Sequence, residues 1–118
     1  MATNGLRFAP LIRVSTEQQE QMGESLRTQK KQIEEAVQAM GGTIPDRCWK
    51  YSGQEHATPD FEREKFKQLL DDSGKDFFDA VIVAHPDRWA RDTKGSVIGL
   101  ETLQRNGVRF FVGALEQK

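Results

Sequence analysis

The chain has 118 residues, 36% of them hydrophobic and 30% charged, enough for one domain with a real core and too few for two. With 17 basic and 18 acidic residues its formal net charge is −1, so bulk charge gives no support for nucleic-acid binding, and any such role must rest on where particular arginines sit. No apolar run approaches the roughly 20 residues that span a bilayer, no secretory signal opens the chain, and a single cysteine, Cys48, excludes an internal disulfide and fits a reducing, cytoplasmic setting.

Leu6–Val14 (LRFAPLIRV) reads as a strand, with Pro10 marking an irregularity or an edge. From Glu24 to Met40 the apolar residues Leu26, Ile33, Val37 and Met40 recur at helical spacing, and Gly41-Gly42 stops that helix. Thr43–Tyr51 is expected to be a second strand and Ser52–Asp60 a polar loop. Phe61–Asp72 carries Phe61, Phe66, Leu69 and Leu70 as a second amphipathic helix, ending before Ser73-Gly74. Asp79–Ala84 (DAVIVA) is the clearest buried strand. Asp92–Asn106 forms a third helix closed by Gly107, and Val108–Ala114 (VRFFVGA) is a last β-rich run. With no repeat or linker, residues 1–118 read as one domain. The alternation of strands and helices implies an α/β fold, with a mainly parallel sheet of about four strands flanked by helices. Functional groups in such sheets gather at the carboxyl ends of the strands.

Two strand ends carry unusual residues. In an extended segment Arg13 and Ser15 project the same way. Directly after DAVIVA and His85-Pro86 comes Asp87-Arg88-Trp89-Ala90-Arg91-Asp92, where a helix starting near Asp87 brings Arg91 one turn beyond it. Guanidinium groups from two strand ends then converge on one anion, with a hydroxyl between them. A serine hydroxyl needs a proton acceptor and stabilisation of developing charge. Arginine supplies the second, pairing two phosphate oxygens through its planar fork. No lysine-bearing P-loop, no HExxH and no metal-spaced cluster of Cys, His and carboxylate is present, which leaves an arginine-rich phosphate site that uses no metal or other cofactor.

These motifs resemble the serine recombinases, the resolvase/invertase family. Arg13-Val14-Ser15-Thr16 with Gln19 matches R-V-S-T-x-x-Q, and Ser25-Leu26 with Gln29 matches S-L-x-x-Q. Ser52-Gly53 resembles the family's S-G loop, and Glu62-Arg63 leading to Leu69-Leu70 its arginine before an L-L helix. Phe78-Asp79-Ala80-Val81-Ile82-Val83 followed by Asp87-Arg88-Trp89-Ala90-Arg91-Asp92 matches F-D-x-V-x-V and D-R-x-x-R-D. The resemblance implies a three-layer resolvase-like domain whose Ser15 attacks the scissile phosphate of double-stranded DNA and becomes linked to the 5′ end. It implies that Arg13, Arg63, Arg88 and Arg91 bind the phosphate, that Gln19 positions the backbone, and that Asp87 orients the arginines or moves a proton. Four subunits would cut two duplexes, exchange partners and rejoin them without ATP or metal, in a nucleoid-associated complex. Two positions depart from the family pattern: Leu11 stands where it has tyrosine, and Trp49-Lys50-Tyr51 where it often has an acidic residue. The chain also stops at Leu115-Glu116-Gln117-Lys118, before the family's long oligomerisation helix and DNA-binding region begin.

Blander readings of the same residues exist. Ser15-Thr16 suits a helix cap, Asp87 after Pro86 an N-cap, and Arg63 within Glu62-Arg63-Glu64-Lys65 a solvated face. Trp49 and Trp89 read as packing residues, His56 as part of a turn, His85 as a strand-end residue and Cys48 as a small buried hydrophobe. Two other functions fit parts of the pattern: a non-catalytic DNA- or protein-interaction module on the same scaffold, and a hydrolase of small phosphate esters.

Overall fold

The computed structural model describes residues 4–12, 26–51, 59–84, 89 and 93–117. Four strands, β1 (Phe8–Pro10), β2 (Ala80–Val83), β3 (Arg109–Val112) and β4 (Leu115–Gln117), lie side by side in that order. The first three are parallel, Phe8 opposite Ala80 and Ala80 opposite Arg109, whereas β4 returns antiparallel to β3. Helices α1 (Leu26–Ala39) and α2 (Pro59–Asp72) fall between β1 and β2, and α3 (Thr93–Arg105) joins β2 to β3.

Strand alternation divides the core into two clusters. Ala9, Leu11, Val81, Val83 and Phe110 face α2 and α3, where they meet Leu69, Trp89 and Leu103. Phe8, Ile12, Ala80, Ile82 and Phe111 face α1, through Ile33 and Val37. The result is three layers, with the sheet between α1 and the α2–α3 pair. All four residues of β2 are buried, as a parallel strand covered on both faces requires.

α2 and α3 run in the same direction. Phe66 packs at the level of Gly99, whose Cα has no room for a Cβ beside the Phe66 and Trp89 rings (2.8 Å to each). Seven residues further along each helix, Asn106 Nδ2 donates to Ser73 Oγ at 2.7 Å. Because α3 leaves the carboxyl end of β2 and ends at the amino end of β3, both helices begin at the carboxyl edge of the sheet.

β1 is an edge strand, and Pro10 occupies the place its chemistry allows. Leu11 N–H donates inward to Ile82 O (3.0 Å), while Phe8 N–H donates outward to Thr43 O (2.8 Å). Alternation therefore turns the nitrogen of Pro10 outward, where no ladder bond is lost. At the amino edge Arg7 fixes the register of β1 against β2: its backbone N–H and Nε reach Asp79 Oδ2 (2.9 and 3.1 Å) and Nη2 reaches Oδ1 (3.0 Å).

Three elements differ from the sequence reading. The expected strand Thr43–Tyr51 contributes only a bridge between Thr43 and Arg7, and Asp46–Tyr51 is a 3-10 helix. Pro45 O accepts from Cys48 N–H (2.8 Å), and the buried residues Cys48 and Tyr51 are three apart, the period of that helix rather than of a strand. The run Val108–Ala114 also stops early. Gly113, at φ 57°, opens a two-residue turn, and the fourth strand is the following Leu115–Gln117. Arg109 grips Glu116 from both oxygens (2.7 and 2.6 Å) across this hairpin. Helix α2 begins at Pro59, inside the segment read as a loop, because proline suits the first turn of a helix.

Cys48 is buried, and burial pushes its thiol up, away from the reactive thiolate. Asp72 is also buried, its side chain only 7% exposed. Burial pushes its carboxyl up, but Tyr51 Oη–H (2.6 Å) and the Lys50 ammonium (3.0 Å) outweigh that and hold it below the ordinary range. Burial, followed by the bond to Asp72, pushes the Tyr51 phenol well above its usual value. Tyr51→Phe deletes a bond to a buried charge and is expected to cost about 1–3 kcal/mol in denaturant unfolding. The Arg7 hydrogen bonds likewise lower Asp79. Both carboxyls thus contribute stability that is fully present above their unfolded value, about 4, and is lost as pH falls through their lower folded values. Unfolding midpoints recorded from about pH 6 down to about pH 2 are expected to fall mainly below about pH 4, with Asp79→Asn flattening that limb.

Candidate active site

The candidate residues attach to a well-defined frame. β1 and β2 run parallel with Pro10 opposite Ile82, so their carboxyl ends are neighbours, about 4.8 Å apart in the hydrogen-bonding direction. β1 continues through the buried residues Leu11 and Ile12, and β2 through Ala84. Arg13 follows Ile12 directly. Ser15, three residues on, lies within about 11 Å of Ile12 by chain length alone.

The other strand end is tied down by Trp89. Its side chain is 3% exposed and packs edge-on against Phe66 (4.8 Å between centroids) and tilted against Phe110 (4.8 Å), with Gly99 closing the socket. The packing role expected for Trp89 is observed, and it puts a fixed point between Arg88 and Arg91. Phe66 extends the link to α2. Arg63 lies three residues before Phe66, toward the end of α2 at the carboxyl edge of the sheet.

Arg13, Ser15, Gln19, Asp87, Arg88 and Arg91 lie outside the described residues, as do His56 and His85; of Arg63 the helical position is described and the side chain is not. The frame brings together the points from which these residues depart: the end of β1, the end of β2 with Trp89, and the first half of α2. Gln29 is the residue to which the sequence reading gave no site role. It is fully buried on the sheet-facing side of α1, one and two turns before Ile33 and Val37. Its signal in the sequence was a glutamine in register with that apolar stripe. Leu11 is 1% exposed and part of the core, so at this position the departure from the family pattern serves packing. Among the described residues no three His, Cys, Asp or Glu side chains gather to hold a metal, and no helix is long and apolar enough to cross a membrane.

With this geometry in place, the sequence profile described as "Resolvase, N terminal domain" matches residues 9–118. The chain belongs to the resolvase family. No curated protein matches the sequence. The fold of this resolvase domain is similar to the crystal structure of the N-terminal catalytic domain of TP901-1 integrase, with a TM-score of 0.70 at 24% identity over 90% of this chain and 76% of that one. It is equally similar to a resolvase family site-specific recombinase from Streptococcus pneumoniae, with a TM-score of 0.71 at 23% identity over 95% and 76% of the two chains. The resolvase match begins inside β1 and runs through β4, so it takes in both strand ends that carry the candidate residues.

Proposed function

We propose that this resolvase domain is the catalytic core of a site-specific recombinase that cuts and rejoins double-stranded DNA through Ser15. The Ser15 Oγ–phosphorus bond forms as the bond from phosphorus to the 3′ oxygen breaks. The serine proton passes to a nearby acceptor and the departing 3′ oxygen takes up a proton, giving a 5′-phosphoserine and a free 3′ hydroxyl. Arg13, Arg88 and Arg91, joined by Arg63, bind the phosphate and offset the charge on its equatorial oxygens. Gln19 positions the DNA backbone, and Asp87 orients the arginines or takes part in proton transfer. Rejoining reverses the step, and the phosphoserine bond conserves the energy of the diester, so neither ATP nor metal is called for. In this reading four copies assemble on two duplexes.

The observation that carries the proposal is the parallel pairing of β1 with β2. It starts the R-V-S-T segment and the D-R-x-x-R-D segment from adjacent positions on one edge of the sheet. Membership of the resolvase family supports the same reading. The test uses the full-length protein on element-end DNA carrying a nick near the crossover, which traps cleavage. A denaturing gel and mass spectrometry are expected to find an oligonucleotide on Ser15. DNA bound in a gel shift with no adduct would instead favour a non-catalytic module on this scaffold.

A further inference from the structure

Helix α1 carries its charges the wrong way round for a helix standing alone. Arg27, Lys30 and Lys31 are exposed in its amino half, Glu34 and Glu35 in its carboxyl half. Cations at the positive end of the helix dipole and anions toward the negative end oppose the favourable placement. The pairs Lys30–Glu34 and Lys31–Glu35 also have the weaker of the two i,i+4 orientations. Among the described residues no carboxylate forms an ion pair with any of the three cations. Lys30 instead lies over the Trp49 ring, 4.9 Å from its centroid.

Several cations at the opposite edge of the sheet are held by carboxylates. Arg7 holds Asp79 and Asp76, Lys50 and Lys75 hold Asp72, and Arg109 holds Glu116. The net charge of −1 therefore conceals exposed positive charge on α1 that no described carboxylate pairs, beside ion-paired cations at the amino edge.

This exposed positive charge lies level with the proposed active site. Gly42, which caps α1 by donating to Val37 O, packs on the Phe8 ring, so the carboxyl half of α1 sits beside the start of β1. Eight residues back from Val37, about 12 Å along the helix, is Gln29. Four residues on from Phe8, about 13 Å along the strand, is Ile12. Arg27, Lys30 and Lys31 surround Gln29 in sequence and are exposed. They lie at the level where β1 gives way to Arg13 and Ser15.

We propose that this face of α1 is a landing surface for the phosphate backbone of duplex DNA, beside the scissile phosphate. The inference rests on the recombinase reading above and adds to it a second set of contacts. Duplex DNA presents one charge per about 1.7 Å of its axis, so DNA engaged near Ile12 has further phosphates to offer the flanking helix. Such contacts fix the path of the DNA and read no sequence. They also account for an arrangement that costs the helix stability with no compensation from a described carboxylate.

The test compares two pairs of substitutions that each remove two positive charges from the 118-residue chain. Arg27→Gln with Lys31→Gln alters the landing surface; Lys75→Gln with Arg105→Gln alters exposed cations at the far edge. Binding to a short random-sequence duplex is followed by fluorescence anisotropy from about 25 to 200 mM salt. The first pair is expected to weaken binding on the order of tenfold at low salt and to reduce the salt slope by about 2. The second is expected to change affinity less than about twofold, because charges beyond a Debye length are screened. Equal losses from both pairs, no loss from the first, or no duplex binding by the wild-type chain at low salt would each overturn the proposal. The Ser15 adduct is a separate readout. A missing adduct with the pair difference intact removes the catalytic reading and leaves the surface, and an adduct without the pair difference does the reverse.

Discussion

Ser15→Ala is expected to abolish the covalent DNA adduct and strand exchange, by at least about 10³-fold, while unfolding free energy stays within about 0.5 kcal/mol of wild type. The loss is large because the hydroxyl oxygen is itself one of the atoms bonded in the proposed intermediate. Arginines stabilise charge on a phosphate, but they supply no atom to replace that oxygen. The stability change is small because the substitution removes one oxygen from a residue that follows Ile12 by three positions and leaves the described core clusters on both faces of the sheet untouched. DNA affinity is expected to persist, since the arginines proposed to bind the phosphate and the exposed cations of α1 remain. Anisotropy, a denaturing gel and a denaturant titration on the same preparations separate the three quantities. Recombination at the wild-type rate by Ser15→Ala would remove the proposed mechanism.

Trp89→Ala is expected to have the largest effect on folding, about 3–5 kcal/mol, lowering the unfolding midpoint on the order of 10–20 °C. The indole fills a socket made by three separate elements: Phe66 of α2, Gly99 of α3 and Phe110 of β3. Its removal leaves a cavity that could close only if two parallel helices moved onto the sheet. Trp89→Phe keeps an aromatic ring against Phe66 and Phe110 and is expected to recover more than half of the loss. Because Trp89 lies between Arg88 and Arg91, the alanine variant is also expected to form the Ser15 adduct poorly at temperatures where it remains folded. An unfolding free energy for Trp89→Ala within about 1 kcal/mol of wild type would show that the socket contributes little.

Most of the architecture was legible in the sequence because its elements have clean periods. Ala80–Ala84 within DAVIVA is a continuous apolar run, and its first four residues are the strand buried on both faces. Ile33 and Val37, four apart, mark the face of α1 that meets the sheet. Gly107 sits at φ 73° beyond α3, as a helix C-cap requires. The misreadings come where period and composition disagree. Thr43–Tyr51 has β-prone residues, yet Pro45 and the three-residue spacing of Cys48 and Tyr51 select a 3-10 helix. Leu115–Gln117 is too short and polar to announce a strand; what makes it one is a partner seven residues back, Arg109, gripping Glu116. For the candidate site, the sequence supplied the residue types and the fold supplied the adjacency of β1 and β2. The charge pattern of α1 was hidden from composition, because net charge sums paired and unpaired groups alike.

The outward-facing nitrogen of Pro10 limits how copies of this domain can meet. Phe8 spends its outward N–H on Thr43, and Pro10 has none to give. An incoming strand would find no donor at either position, so β1 is a poor template for a sheet running from one subunit into the next. Contacts between copies of this domain through β1 would therefore have to rest on side chains rather than on a shared backbone ladder.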